Sequence, residues 1–196
     1  MEKAEDLNGG QSMQGTNEIY NSLSENETLR EQLMLVDRLG LPDAWICAGY
    51  IRSLIWGLTL TEEQDIDVVY YDTADKSEEA EKQYEEQLKS WKPLPWSVKN
   101  QARMHLKNEL PPYQSTCDAI AHFPETVTAI AAKLTDGQFQ LYLAYGASDL
   151  QTRTIRPTPL FSKGLPRHAI FQQRVTDKGW DKRSDLRIAC QFETNS

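Results

Sequence analysis

The chain has 196 residues, 39% of them hydrophobic and 26% charged, with a formal net charge of −8. That length and composition suit one globular unit with a real core, or such a unit plus a short appendage. No apolar run approaches the ~20 residues of a membrane helix, and the acidic balance counts against extensive nucleic-acid binding. The opening residues lack the basic-then-apolar order of a secretory signal, so a cytoplasmic protein is expected. Cys47, Cys117 and Cys190 are scattered and the three histidines lie far apart, so neither a zinc site nor a disulfide framework is expected. Charge is unevenly placed: residues 1–150 hold 12 Lys and Arg against 25 Asp and Glu, and residues 151–196 hold 9 against 4. The basic segment is read mainly as lying back on the acidic body, with local phosphate contact as the alternative.

Residues 1–24 are polar and lack an apolar period, which predicts a disordered tail. A single domain is expected over residues 25–190, followed by a short tail, 191–196. From about Asn26 to Gly40 the pattern is helical, with Leu29, Leu33 and Val36 on one face and Gly40 and Pro42 ending it. Residues 44–48, "AWICA", read as a short buried strand. A helix follows directly over residues 49–58, then a loop over residues 58–64. "DIDVVYYD", residues 65–72, is rich in β-branched and aromatic residues and reads as a strand. Residues 76–91 form a helix capped at Ser77, with acids early and lysines later; its charges are read as a solvated face.

Residues 95–106 read as a third strand, and residues 115–123 as a short helix capped at Ser115 or Thr116. Residues 126–145 read as a hairpin turning at Asp136-Gly137. Residues 167–180 form a final amphipathic helix. Strands alternating with helices make the chain α/β or α+β.

The chemistry concentrates between Ile46 and Asp72. Side chains alternate along a strand, so Asp65 and Asp67 share one face while Ile66 and Val68 take the other. Two carboxylates at that spacing suit a hard divalent cation, Mg2+ first and Mn2+ as the alternative. Ala48-Gly49 stands at a strand-to-helix junction, where free N–H groups point at an anion and Gly permits close approach. Arg52, one turn further, offers a planar fork of donors for a phosphate. Its bland reading is a surface ion pair. The tryptophans flanking these elements are read as core, with base stacking as the alternative. His105 and His122 are read as structural.

"AG-Y-I-R … D-I-D-V" resembles the nucleotidyltransferases of the DNA polymerase beta superfamily. The nearest sub-pattern is the head of the tRNA CCA-adding enzymes and poly(A) polymerases, Gly-Gly-x-Val-Arg-Asp followed by Asp-x-Asp. Gly49, Ile51 and Arg52 match its second Gly, Val and Arg; Asp65 and Asp67 match the metal-binding pair. Ala48 replaces the first Gly and Ser53 the Asp. From about Leu29 to Ile188, "AGYIRSLIW", "DIDVVYYD", "PWSVKNQARMH", "PPYQSTCDAI", "PETVTAIAAKL" and "IRPTP" together resemble a bacterial family of nucleotidyltransferase-like proteins.

The resemblance implies an α+β fold, a polymerase-beta-like core with a mixed sheet, helices packed against it, and extra elements from about residue 106. It implies Mg2+-dependent transfer of a nucleoside monophosphate from a nucleoside triphosphate to an acceptor the sequence leaves open. Asp65 and Asp67 would hold the metal, and Gly49 and Arg52 would contact the phosphates. Alternation along the expected third strand puts Asn100 on one face and Lys99, Arg103 and His105 on the other, which makes Lys99, Asn100 and Arg103 further candidates for nucleotide or phosphate contact. Superfamily members usually carry a third carboxylate on a later strand. The stretch "WSVKNQARMH" has none, with Asn100 as a neutral replacement and Asp72 or Asp118 as stand-ins. That departure leaves a second reading open: a catalytically silent module that binds a nucleotide or a protein. A third, weaker reading is an RNA-end binder using the basic tail.

Overall fold

A computed structural model describes residues 6–58 and 64–193; most of the loop expected at residues 58–64 and the end of the C-terminal tail lie outside them. Within the segment expected to be a disordered tail, residues 6–24 are helical. Helix α1 covers Asp6–Ser24. Ile19 and Leu23, one turn apart, are buried, and the Tyr20 hydroxyl donates to the Phe139 carbonyl at 3.1 Å. Gly15 permits close packing, since a Cβ there would fall 2.3 Å from the Gln151 amide. Two apolar side chains one turn apart were too few for a periodicity argument, yet enough to dock the helix.

Helix α2 (Glu27–Arg38) starts at Asn26, whose side chain accepts from the Leu29 N–H. Strand β1 (Trp45–Cys47) runs directly into helix α3 (Ala48–Ile55). Strand β2 (Ile66–Tyr70) is followed by helix α4 (Glu78–Trp91), capped by Ser77 as expected. The third strand is shorter than expected. β3 ends at Asn100 (Trp96–Asn100), and helix α5 (Gln101–Lys107) begins at the next residue. The Asn100 side chain makes the switch by accepting from the Ala102 N–H at 3.0 Å.

Helix α6 (Thr116–Ala121) is capped by Ser115. Strands β4 (Ile130–Thr135) and β5 (Gln138–Leu143) form the expected hairpin, with Asp136 and Gly137 both at positive φ (52° and 73°), as a two-residue turn demands. Helix α7 (Ser148–Gln151) and strand β6 (Thr154–Ile155) follow. Helix α8 (His168–Asp177), a short 3-10 turn (Trp180–Lys182) and strand β7 (Arg187–Ile188) close the chain.

Among the described residues the main sheet has five strands in the order β3-β2-β1-β4-β5. β2 and β3 are parallel and the other neighbours antiparallel, so the sheet is mixed. The hairpin is thus part of the sheet rather than an appendage beyond residue 106. β6 and β7 pair separately. One face of the sheet carries the larger core, where Ile46, Ile66, Val68 and Val98 meet α2 and α3 residues such as Leu33 and Ile51. The opposite face carries a smaller cluster that includes Cys47, Val69 and Ala131. Asp67 lies opposite Cys47 on one neighbour and Ser97 on the other. Period two therefore sets it on that second, less covered face.

Candidate active site

β1 delivers the chain to the site, and α3 turns it. Ala48 sits at φ 60°, a conformation that costs a non-glycine residue roughly 1–2 kcal/mol. This is the position where the resembled pattern has its first Gly, the residue that takes a positive φ without strain. No side chain caps the α3 N-terminus at Cys47. Gly49 follows, facing a cleft of about 580 Å³ that is also bordered by Asp65 and Asp67. Ser53, in place of the pattern's Asp, accepts a hydrogen bond from the Gln64 amide at 2.9 Å. That contact ties α3 to the residue beside Asp65.

Arg52 borders the same cleft. Its side chain is buried between two rings, with the guanidinium carbon 5.2 Å from the Trp56 centroid and 5.1 Å from that of Trp180. Among the described residues, the buried Nε and Nη1 have no hydrogen-bond partner. Burial pulls its pKa down to about 10, against Glu125, while Arg174 and Arg183 push the same way as burial. Among the described residues Arg52 forms no surface ion pair, the bland alternative for it. A buried, unpaired cation of this kind is expensive unless an anion completes it.

Three further cations border the cleft: Arg174 and Lys178 from α8 or just after it, and Arg183 beyond the 3-10 turn. Sequence reasoning missed all three as site residues, and the one available signal was the basic excess after residue 150. Part of that segment lies back on the acidic body, through Arg156 on Asp149 and Arg174 on Glu125. Arg153 and Arg183 both pair with Asp185 inside the segment, and Arg174, Lys178 and Arg183 border the cleft. Arg174 is aimed by Glu125, a fully buried carboxylate 3.1 Å from its Nη2 and 2.7 Å from the Thr128 hydroxyl.

Facing these cations is the carboxylate pair. Asp65 is exposed and Asp67 partly buried. Burial first, then the charge of Asp65, pushes Asp67 up to about 6 from an ordinary 3.8, despite Lys178, Ser97 and Arg174. Two oxygen donors, Asp67 on β2 and Asp65 one residue before it, with negative charge their surroundings do not fully compensate, fit a hard divalent cation. Among the described residues no group of three or more His, Cys, Asp or Glu side chains is placed to hold a metal. Among the described residues, Asp65 and Asp67 are the carboxylates that border the cleft, and a cation there would share its remaining positions with water and substrate.

Lys99, Asn100 and Arg103 are not brought into this cleft. Asn100 is fully buried; its amide donates to the carbonyls of Asp72 and Asp75, both at 2.8 Å, and its oxygen accepts from the N–H groups of Asp72 and Ala102. It is a structural clamp rather than a ligand. Arg103 lies on α5, where strand alternation no longer applies, and is held by Glu81 at 2.7 Å and Glu78 at 3.1 Å. Lys99 pairs with Glu81 and Glu85 and borders a neighbouring cavity. Glu81, with side-chain exposure of 1%, shows that α4's charges are not all a solvated face.

A small-residue strand-to-helix turn beside a carboxylate pair, on a mixed sheet of this order, has the architecture of a polymerase-beta-like nucleotidyltransferase core. The chain matches a nucleotidyltransferase family over residues 34–187 and belongs to it. It is similar to a protein whose NMR structure reveals a CCA-adding enzyme head domain, at 33% identity and TM-score 0.76, over 88% of this chain and 95% of that one. The fold also matches a CCA-adding enzyme complexed with CTP, at 17% identity and TM-score 0.57 over 89% of this chain. The Thermotoga maritima CCA-adding enzyme complexed with tRNA matches at 18% identity and TM-score 0.56, again over 89%. The chain spans 43% and 42% of those two enzymes. No curated protein matches it. Among the described residues, no helix is long and apolar enough to cross a membrane.

Proposed function

We propose that the protein transfers a nucleoside monophosphate from a nucleoside triphosphate to a hydroxyl acceptor, with Asp65 and Asp67 binding Mg2+ (or Mn2+). The observation that carries this reading is the buried, unpaired Arg52 guanidinium beside the Asp65–Asp67 pair in one cleft. Arg52, Arg174, Lys178 and Arg183 bind the phosphate oxygens, together with the first N–H groups of α3. Trp56 and Trp180 flank Arg52 and keep water from its fork. When bound at Asp65 and Asp67, Mg2+ supplies charge neutralisation at the reacting phosphate. The acceptor oxygen bonds to the α-phosphorus as that phosphorus loses its bond to pyrophosphate. Pyrophosphate leaves with the electron pair, and the hydroxyl proton passes to solvent. The cations that gripped the triphosphate then hold the departing pyrophosphate, so catalysis is mainly positioning and electrostatics.

A second reading is favoured by one observation: no third acid joins the pair among the described residues. In it the same cleft binds nucleotide without turning it over. Incubation with each triphosphate and Mg2+, scored for pyrophosphate, separates the two. Turnover lost in Asp65→Asn and Asp67→Asn supports the transferase. Binding without turnover supports the silent module. Nucleotide that leaves the NMR signals of Gly49, Arg52 and Asp65 unmoved sinks both.

A further inference from the structure

A second cavity, of about 330 Å³, opens on the same face of the sheet. Ala48, Asp67, Thr128 and Arg174 belong to its wall and also to the wall of the phosphate cleft. The two spaces therefore meet at Asp67. In an in-line displacement the attacking and leaving oxygens stand on opposite sides of the phosphorus. With the α-phosphate at Asp67 and pyrophosphate departing toward Arg52, Lys178 and Arg183, the attacking oxygen arrives from the second cavity. This inference rests on the nucleotidyl-transfer reading of the site.

The wall narrows the class of acceptor. Beyond Asp67 it is largely apolar, with Met104, Leu110, Phe123, Phe161 and Ile170. Its volume falls in the range of small-molecule sites, roughly 300–1,000 Å³. Arg167 also borders it and forms no ion pair with any described residue. Its guanidinium donates to the main-chain carbonyls of Asn108 and Glu109. Its charge therefore faces the cavity without a carboxylate, unlike that of Lys99, which Glu81 and Glu85 hold. A nucleic-acid strand would need a track of free cations. The bordering elements instead expose Leu106 (72%) on α5 and Ile170 (46%) on α8.

We infer that this cavity is the acceptor subsite, and that it takes a small molecule with an apolar body, an anionic group for Arg167 and a hydroxyl presented at Asp67. The test is an amide NMR titration of the full chain, preloaded with Mg2+ and a non-hydrolysable analogue of the triphosphate that binds most tightly. The probes are 4-hydroxyphenylacetate, 6-hydroxyhexanoate and the neutral alcohol tyrosol. The expected result is that at least one hydroxy acid moves the signals of Met104, Leu110, Phe123 and Arg167. Tyrosol should do so at least five-fold more weakly than 4-hydroxyphenylacetate, and Arg167→Gln should erase that difference.

The inference is overturned if neither acid moves those signals or if tyrosol binds as well as the acid. It is overturned too if the triphosphate analogue alone, or a short single-stranded RNA, fills the cavity. Failure there, with Gly49 and Arg52 still shifting on nucleotide addition, removes the acceptor assignment alone. Failure of Gly49 and Arg52 to shift removes the nucleotidyl-transfer reading as well.

Discussion

Replacing Asp67 with asparagine is expected to stabilise the metal-free protein while abolishing its activity. The Asp67 carboxyl stands at about 6, raised from 3.8 by burial and by Asp65. A carboxyl raised on folding favours the folded state fully below its unfolded pKa, and that contribution is lost as pH rises from about 4 through about 6. A shift of about two units corresponds to ~3 kcal/mol, and partial exposure of Asp67 discounts this to ~2 kcal/mol. Asparagine keeps the shape and a hydrogen-bonding partner for Ser97 but carries no charge. Urea unfolding in EDTA should therefore show the difference between Asp67→Asn and wild type growing from near zero at pH 4 to ~2 kcal/mol in favour of the variant at pH 8. Mg2+ should then stabilise the wild type and leave the variant unchanged. Asp65→Asn should shift the Asp67 titration downward, because the Asp65 charge contributes to its rise. Parallel pH curves for the two proteins, or a variant less stable than wild type at pH 8, would refute the reasoning.

Arg52→Ala removes the buried fork and its charge-assisted hydrogen bonds, so calorimetry should show Mg-nucleotide affinity reduced by ~10- to 100-fold, or ~1.5–3 kcal/mol. Arg103→Ala should leave that affinity within two-fold of wild type. It should cost ~2–3 kcal/mol in unfolding free energy, because Glu81 loses its main partner while buried; a large loss of affinity without loss of stability would return Arg103 to the site. Ala48→Gly relieves the positive φ at the α3 entrance, offset in part by glycine's greater unfolded-state freedom. Thermal unfolding should find the variant more stable by ~0.5–1 kcal/mol.

The parts of this site that sequence reasoning reached are those set by local periodicity. Alternation along "DIDVV" separates Asp67 from Ile66 and Val68, and the sheet bears this out by burying Ile66 and Val68 in the larger core. The small-residue turn before Arg52 is also local, because strand and helix are adjacent in the chain. The strand expected over residues 95–106 stops at Asn100. That residue suits both a strand end and a helix N-cap, and only the contacts to Asp72 and Asp75 decide between them. Arg103 was misplaced as a result, and its partner Glu81 was hidden among α4 residues whose pattern suggested solvent. The cations of α8 and the turn after it were out of reach for a different reason. More than a hundred residues separate Lys178 from Asp67, and nothing local aims the one at the other.

The most direct test of the central claim is pyrophosphate release from each of the four ribonucleoside triphosphates with Mg2+, in the presence of a protein-free small-metabolite extract as acceptor source. The account predicts pyrophosphate from the wild type, dependent on Mg2+ and absent in both Asp65→Asn and Asp67→Asn. Triphosphate bound at Gly49 and Arg52 with no pyrophosphate formed, or release that persists in Asp67→Asn, would contradict it.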